Sequence, residues 1–112
     1  MCRIEKDAVK KGFTAQTARW LCELAKEIGV NEGRLWNAVL RLARHGVWLE
    51  TEDWLLAARL VDLNKHIDMV VDYVIRRVST GASVAQAVKE LTTAIEKAGK
   101  LAHIREVLSN LI

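Results

Sequence analysis

An all-α fold follows from three observations. Proline is absent from the 112 residues, and Ala, Leu, Val, Glu, Lys and Arg dominate, a composition that favours helix over sheet. Apolar residues recur at helical spacing in several segments. Four of the six glycines stand where such a segment ends, as helix C-termini require. The expected architecture is a pair of short helices joined by a tight turn within residues 1–50, then a long helix and a C-terminal helical hairpin within 51–112. The length suits one continuous compact domain.

The first element, "RIEKDAVKK" (Arg3 to Lys11), is a short charged helix that Gly12 ends. Thr14 then offers its hydroxyl to the orphan backbone N–H groups of a helix over Ala15–Ile28. Ala18, Leu21, Cys22, Ala25 and Ile28 form the buried stripe of that helix. Gly29 supplies a left-handed closing residue against which Val30 packs back. Asn31 is the next cap, with Glu32 suited to the positive helix end. The helix that follows runs to about His45 and stops at Gly46.

The stretch "LCELAKEIGVNEGRLWNAVLRL", Leu21 to Leu42, resembles the helix-turn-helix of phage repressors and of many prokaryotic regulators. Small Ala25 at the helix crossing, Ile28, Gly29 and Val30 around the turn, and Leu35, Ala38 and Val39 at inward positions carry the resemblance over residues 21–40. It implies that the second helix lies in the major groove of duplex DNA, its N-terminal residues reading base edges. On that basis Asn31 and Asn37 lie near bases, and amide side chains pair with adenine. A helical wheel places Arg34, Asn37, Arg41 and Arg44 within roughly 80° of one another. The arginines are candidate phosphate contacts, and Arg19 and Lys26 of the preceding helix could extend the patch. Trp36 and Leu40, at groove positions of the family, are poor groove residues and belong to a broad buried face.

Residues 47–57 admit two readings. Thr51 before Glu52, Asp53 and Trp54 resembles a cap and an acidic first turn. Leu56, Leu60, Leu63, Ile67, Val70 and Val74 then step in a heptad rhythm, which predicts one helix from Glu52 to about Ser79. A break near Asn64 is the other helical arrangement. The rival is a short β-wing, "VWLE" against "WLLA". Val71, Ile75 and Val78 give the long helix a second apolar set. This predicts a homodimer joined through Leu60, Ile67, Val71, Val74, Ile75 and Val78, as symmetric regulators read two half-sites. "STGAS" is a loop, and Ser83 with Gln86 forms a capping box. Val84, Val88, Leu91, Ile95 and Ala98 face inward on the next helix, which Gly99 ends. Leu101, Ile104, Val107, Leu108 and Leu111 do so on the last.

The net charge is +3 and the pI about 9.1, a mild excess that permits nucleic acid. Residues 1–46 carry +4, residues 47–80 carry −2 and residues 81–112 carry +1, so the excess lies with the helix-turn-helix stretch. No leader or apolar run approaches the roughly 20 residues of a membrane span. Cys2 and Cys22 are expected to be free thiols in a reducing cytoplasm. Asp62 and His66 could face one metal on a helix, but two ligands do not make a site. His45 and His103 stand alone. No nucleophile spacing, phosphate loop or C-x-x-C motif occurs. The chain is therefore expected to be no enzyme and to need no cofactor. Four tryptophans are expected mainly in the core, or else at a partner surface. The expected function is a dimeric DNA-binding regulator; the alternative is a helical subunit of a larger assembly that touches a nucleic-acid backbone without reading sequence.

Overall fold

The computed structural model describes residues 2–98, which form six helices and no strand. They are α1 (Arg3–Lys10), α2 (Ala15–Ile28), α3 (Glu32–Arg44), α4 (Thr51–Leu60), α5 (Leu63–Ser79) and α6 (Val84–Ala98). Helix α3 lies centrally, against α1, α2 and α5; α6 packs on α5 and α4, and α4 also touches α2. The all-α class holds, and the β-wing does not form. The helix and hairpin-forming residues expected beyond 98, with Gly99, His103 and the Leu101–Leu111 stripe, lie outside the described residues.

Among the described side chains of α1 only Ile4 and Ala8 are deeply buried, too little apolar area to hold eight residues by itself. Two further ties secure it. The Trp36 indole N–H of α3 donates to the Asp7 carboxylate. Cys2 and Cys22 form a disulfide, with Cα atoms 6.0 Å apart. The expectation of free thiols is thereby corrected, and with it the ground for expecting a reducing compartment. A sequence separation of 20 residues says nothing of distance; packing α1 along α2 creates the proximity. Closing a loop of this size stabilises the fold by about 3 kcal/mol in the chain-entropy account. Reduction with a phosphine is therefore expected to lower the unfolding free energy by about that amount. Amide exchange should show α1 losing protection first; unchanged protection in α1 would mean that packing alone holds it.

The predicted long helix is divided. Helix α4 ends at Leu60, Val61 is extended and buried, and Asp62 starts α5 by accepting from the Asn64 N–H at 3.1 Å. The heptad rhythm runs through this corner because Leu63 and Ile67 still face the core. Ile67, Val71 and Val74, expected at a dimer seam, are buried within the single chain. Leu60, Ile75 and Val78 are half-buried. The cap of α4 also falls one residue earlier than expected. Glu50 accepts from the Asp53 N–H, and Asp53 accepts from the Glu50 N–H at 3.0 Å, a reciprocal box. Thr51 instead accepts the Trp20 indole N–H at 2.7 Å, tying α4 to α2.

Helices α5 and α6 are clamped by a polar triad. Glu90 takes Arg77 Nε at 2.7 Å and the Tyr73 hydroxyl at 3.0 Å on Oε2, and Arg77 Nη2 at 3.0 Å on Oε1. The Arg77 guanidinium, then the Tyr73 hydroxyl, hold the Glu90 carboxyl below the usual range, while burial, then Glu90, push Tyr73 up. A lowered carboxyl pKa stabilises the fold above the unfolded value of about 4.3 and loses that effect as pH falls through the folded value. A raised phenol pKa stabilises below about 10 and loses the effect as pH rises through the folded value. The stability gap between wild type and Glu90→Gln is therefore expected to be widest near neutrality and to shrink in acid below about pH 4. A pH-independent gap, in urea titrations of both proteins, would show that ionisation of Glu90 is not what the clamp uses.

Candidate nucleic-acid interface

The turn between α2 and α3 forms from the residues expected to form it. Gly29 has φ +70°, a left-handed conformation that side chains beyond glycine seldom adopt. The N–H of Val30 returns to the Ala25 carbonyl at 3.0 Å, and Val30 is buried. Asn31 Oδ1 accepts from the N–H groups of Gly33 (2.9 Å) and Arg34 (3.3 Å). Its carbonyl oxygen is thus committed to the cap and its side chain is not a free reading head. Leu35, Ala38, Val39 and Leu42 face the core. Trp36 is buried against α1, with the Phe13 ring edge-on at 5.4 Å, and Leu40 is half-buried.

The basic strip of α3 is split by α5. Arg41 donates to Asp72 and lies 3.8 Å from Asp68. A phosphate could reach it only by competing with two carboxylates, so Arg41 is better described as a brace between α3 and α5. Arg34 donates to the Asn64 carbonyl, and the Asn64 side chain accepts the Asn31 N–H at 3.2 Å. Asn37 and Arg44 are exposed. Lys26, also exposed, borders a shallow cleft of about 290 Å³ beside Asn31, Glu32 and Gly33 at the start of α3. Arg19, exposed two turns earlier on α2, does not line that cleft.

A larger cleft, about 640 Å³, opens where α3 and α5 both begin. Arg34, Asn64, Lys65 and His66 line it, with no carboxylate among them. His66 Nδ1 is itself buried and without a hydrogen-bond partner. The positive ends of two helices and three cation-capable side chains suit an anion. Asn64, Lys65 and His66 were not grouped from sequence as an anion site, because the single-helix reading placed them mid-helix and the alternative break near Asn64 was not followed. Read with a break after Leu60, "DLNKH" becomes a capped helix start, and the cluster becomes visible. Asp62 belongs to the cap rather than to a metal pair, and among the described residues no group of three ligand-type side chains gathers. No helix among them is long and apolar enough to cross a membrane. Compared with protein-family models, curated proteins and solved structures, the chain matches none.

Proposed function

We propose that this protein binds duplex DNA through the α2–α3 unit in helix-turn-helix fashion, gripping the backbone at the junction of α3 and α5. The carboxylate-free cleft of Arg34, Asn64, Lys65 and His66 carries this reading. Arg34 and Lys65 contact phosphate, Arg44 and Lys26 are further exposed cations outside that cleft, and Asn37 is the exposed amide available to a base edge. A homodimer acting in transcription regulation is the use proposed for such a grip, with Leu60, Ile75 and Val78 at the contact between copies.

A second reading has its own support. Arg41 is held by Asp72, Asn31 is spent on its cap and Trp36 is buried, which leaves little on α3 to read sequence. A helical subunit of a nucleoprotein assembly needs only the backbone grip. One titration separates binding from its absence: anisotropy of labelled random-sequence duplex DNA across a salt series. Binding that weakens linearly on a log–log plot supports the grip. No binding at the lowest salt would overturn it. Selection from a random pool, with sedimentation of the complex, then divides a closed dimer on a two-fold site from an open array on any sequence.

A further inference from the structure

The segment after α3 presents one tryptophan outward by design of its backbone. Residues 47–50 belong to no helix, Glu50 is extended, and burial alternates along them: Val47 and Leu49 are buried to 2% and 4% exposure. Alternation along an extended chain puts the intervening side chain on the opposite face. Trp48 is accordingly 38% exposed. Its ring is not loose: Trp20 supports it at 5.6 Å between centroids, and Phe13 stacks at 6.5 Å. The phenyl–indole series continues inward to Trp36, so the exposed ring stands on a rigid aromatic base.

Beside it lies a cleft of about 350 Å³, lined by Gln16, Thr17, Trp20, Trp48, Glu50 and Thr51. Glu50 is the sole formal charge in that lining. One carboxylate interaction with the Asp53 N–H serves the α4 cap, which leaves lone pairs for another donor. Glu52 and Asp53 add negative charge in the same first turn. No lysine or arginine lines the cleft; Lys11, close to Phe13 in sequence, pairs with Asp7 at 3.8 Å. A part-exposed indole and a carboxylate lining one cleft are complementary to a planar cation.

We propose that Trp48 and Glu50 form a docking site for an arginine side chain of a partner protein, the guanidinium stacking on the Trp48 indole and forking to Glu50. This site is separate from the anion cleft at the α3–α5 junction and opposite to it in charge. It does not depend on DNA binding.

The test uses a fluorescein-labelled glycine–arginine repeat peptide, read by anisotropy, and the same peptide with citrulline for arginine. Wild type is expected to bind the arginine peptide saturably, and citrulline to weaken binding by roughly tenfold, because shape is kept and charge is lost. Trp48→Ala should weaken it by a similar factor and Trp48→Phe by less. Glu50→Gln keeps an acceptor for the α4 cap and should weaken binding by about threefold to tenfold. Circular dichroism of each variant checks that the helices remain. General attraction does not mimic the result, since the protein carries +3. The proposal is overturned by no binding by wild type, by equal binding of the citrulline peptide, or by undiminished binding by Trp48→Ala. Competition by oligothymidine that requires Trp48 would also overturn it, reassigning the ring to base stacking.

Discussion

Replacing Trp54 by alanine is expected to destabilise the fold by about 3–5 kcal/mol, the largest effect of any single substitution in α4. Trp54 is 1% exposed and is the buried residue of that ten-residue helix. Leu56, Ala57, Ala58 and Leu60 are only partly covered. With Trp20, Val39, Leu42, Val47, Trp48 and Leu49, Trp54 lines one small gap in the packing, so its loss opens a cavity bordered by α2, α3 and the 47–50 segment. The surrounding helices are braced by the disulfide and the Asp7–Trp36 bond, which limits collapse into that space. A domain of this kind has about 5–15 kcal/mol in total, so Trp54→Ala should remain folded but lose much of its reserve. The urea midpoint measures the loss. Leu60→Ala is the control and should cost well under half as much, because Leu60 already meets solvent. A cost below about 1 kcal/mol for Trp54→Ala would mean that α4 is held by its cap and the Trp20–Thr51 bond instead.

What sequence made legible here was local. The Thr14, Asn31 and Ser83 caps all accept the backbone N–H groups expected of them. Gly29 takes the left-handed conformation; Ala18, Leu21, Cys22 and Ala25 of α2, Leu35, Ala38 and Val39 of α3, and Val88, Leu91 and Ile95 of α6 are buried as their periodicity implies, while Ile28 and Val84 are partly covered. What remained hidden depends on elements meeting across distance. Arg41 belongs to a periodic basic strip whether or not α5 lies beside it, and only the approach of Asp68 and Asp72 changes its role. Cys2 and Cys22 are unremarkable until α1 folds along α2. The break at Val61 left the apolar rhythm intact, so periodicity favoured one long helix over the alternative with a break near Asn64, and the grouping of Lys65 and His66 with Arg34 stayed hidden. Leu24 was missed for a related reason: α2 is covered on more than one side, by α1, α3 and α4, and a single stripe does not describe it.

The same contrast between strip and structure supplies a prediction of function. If the grip at the α3–α5 junction binds phosphate, a variant with Arg34 and Lys65 both changed to alanine should lose about 1.8 from the magnitude of the log–log salt slope, roughly 0.9 for each contact. Its affinity at low salt should fall by roughly one to two orders of magnitude, as two charge-assisted contacts disappear. Arg41→Ala is predicted to behave oppositely. It should leave the slope nearly unchanged, since its guanidinium already serves Asp72. It should lower stability instead, and the partly exposed setting of the pair keeps that cost near or below about 1 kcal/mol. Both variants remove positive charge, two charges at Arg34 and Lys65 and one at Arg41, so a general loss of positive field would weaken binding in both in that proportion. Equal changes in slope per charge removed would therefore spread the contact over the basic residues in general and free Arg41 from α5 in the bound state. A slope change confined to Arg34 and Lys65 would place it at the junction of the two helix starts. Anisotropy with duplex DNA at several salt concentrations, beside urea titrations of the same preparations, reads both quantities at once.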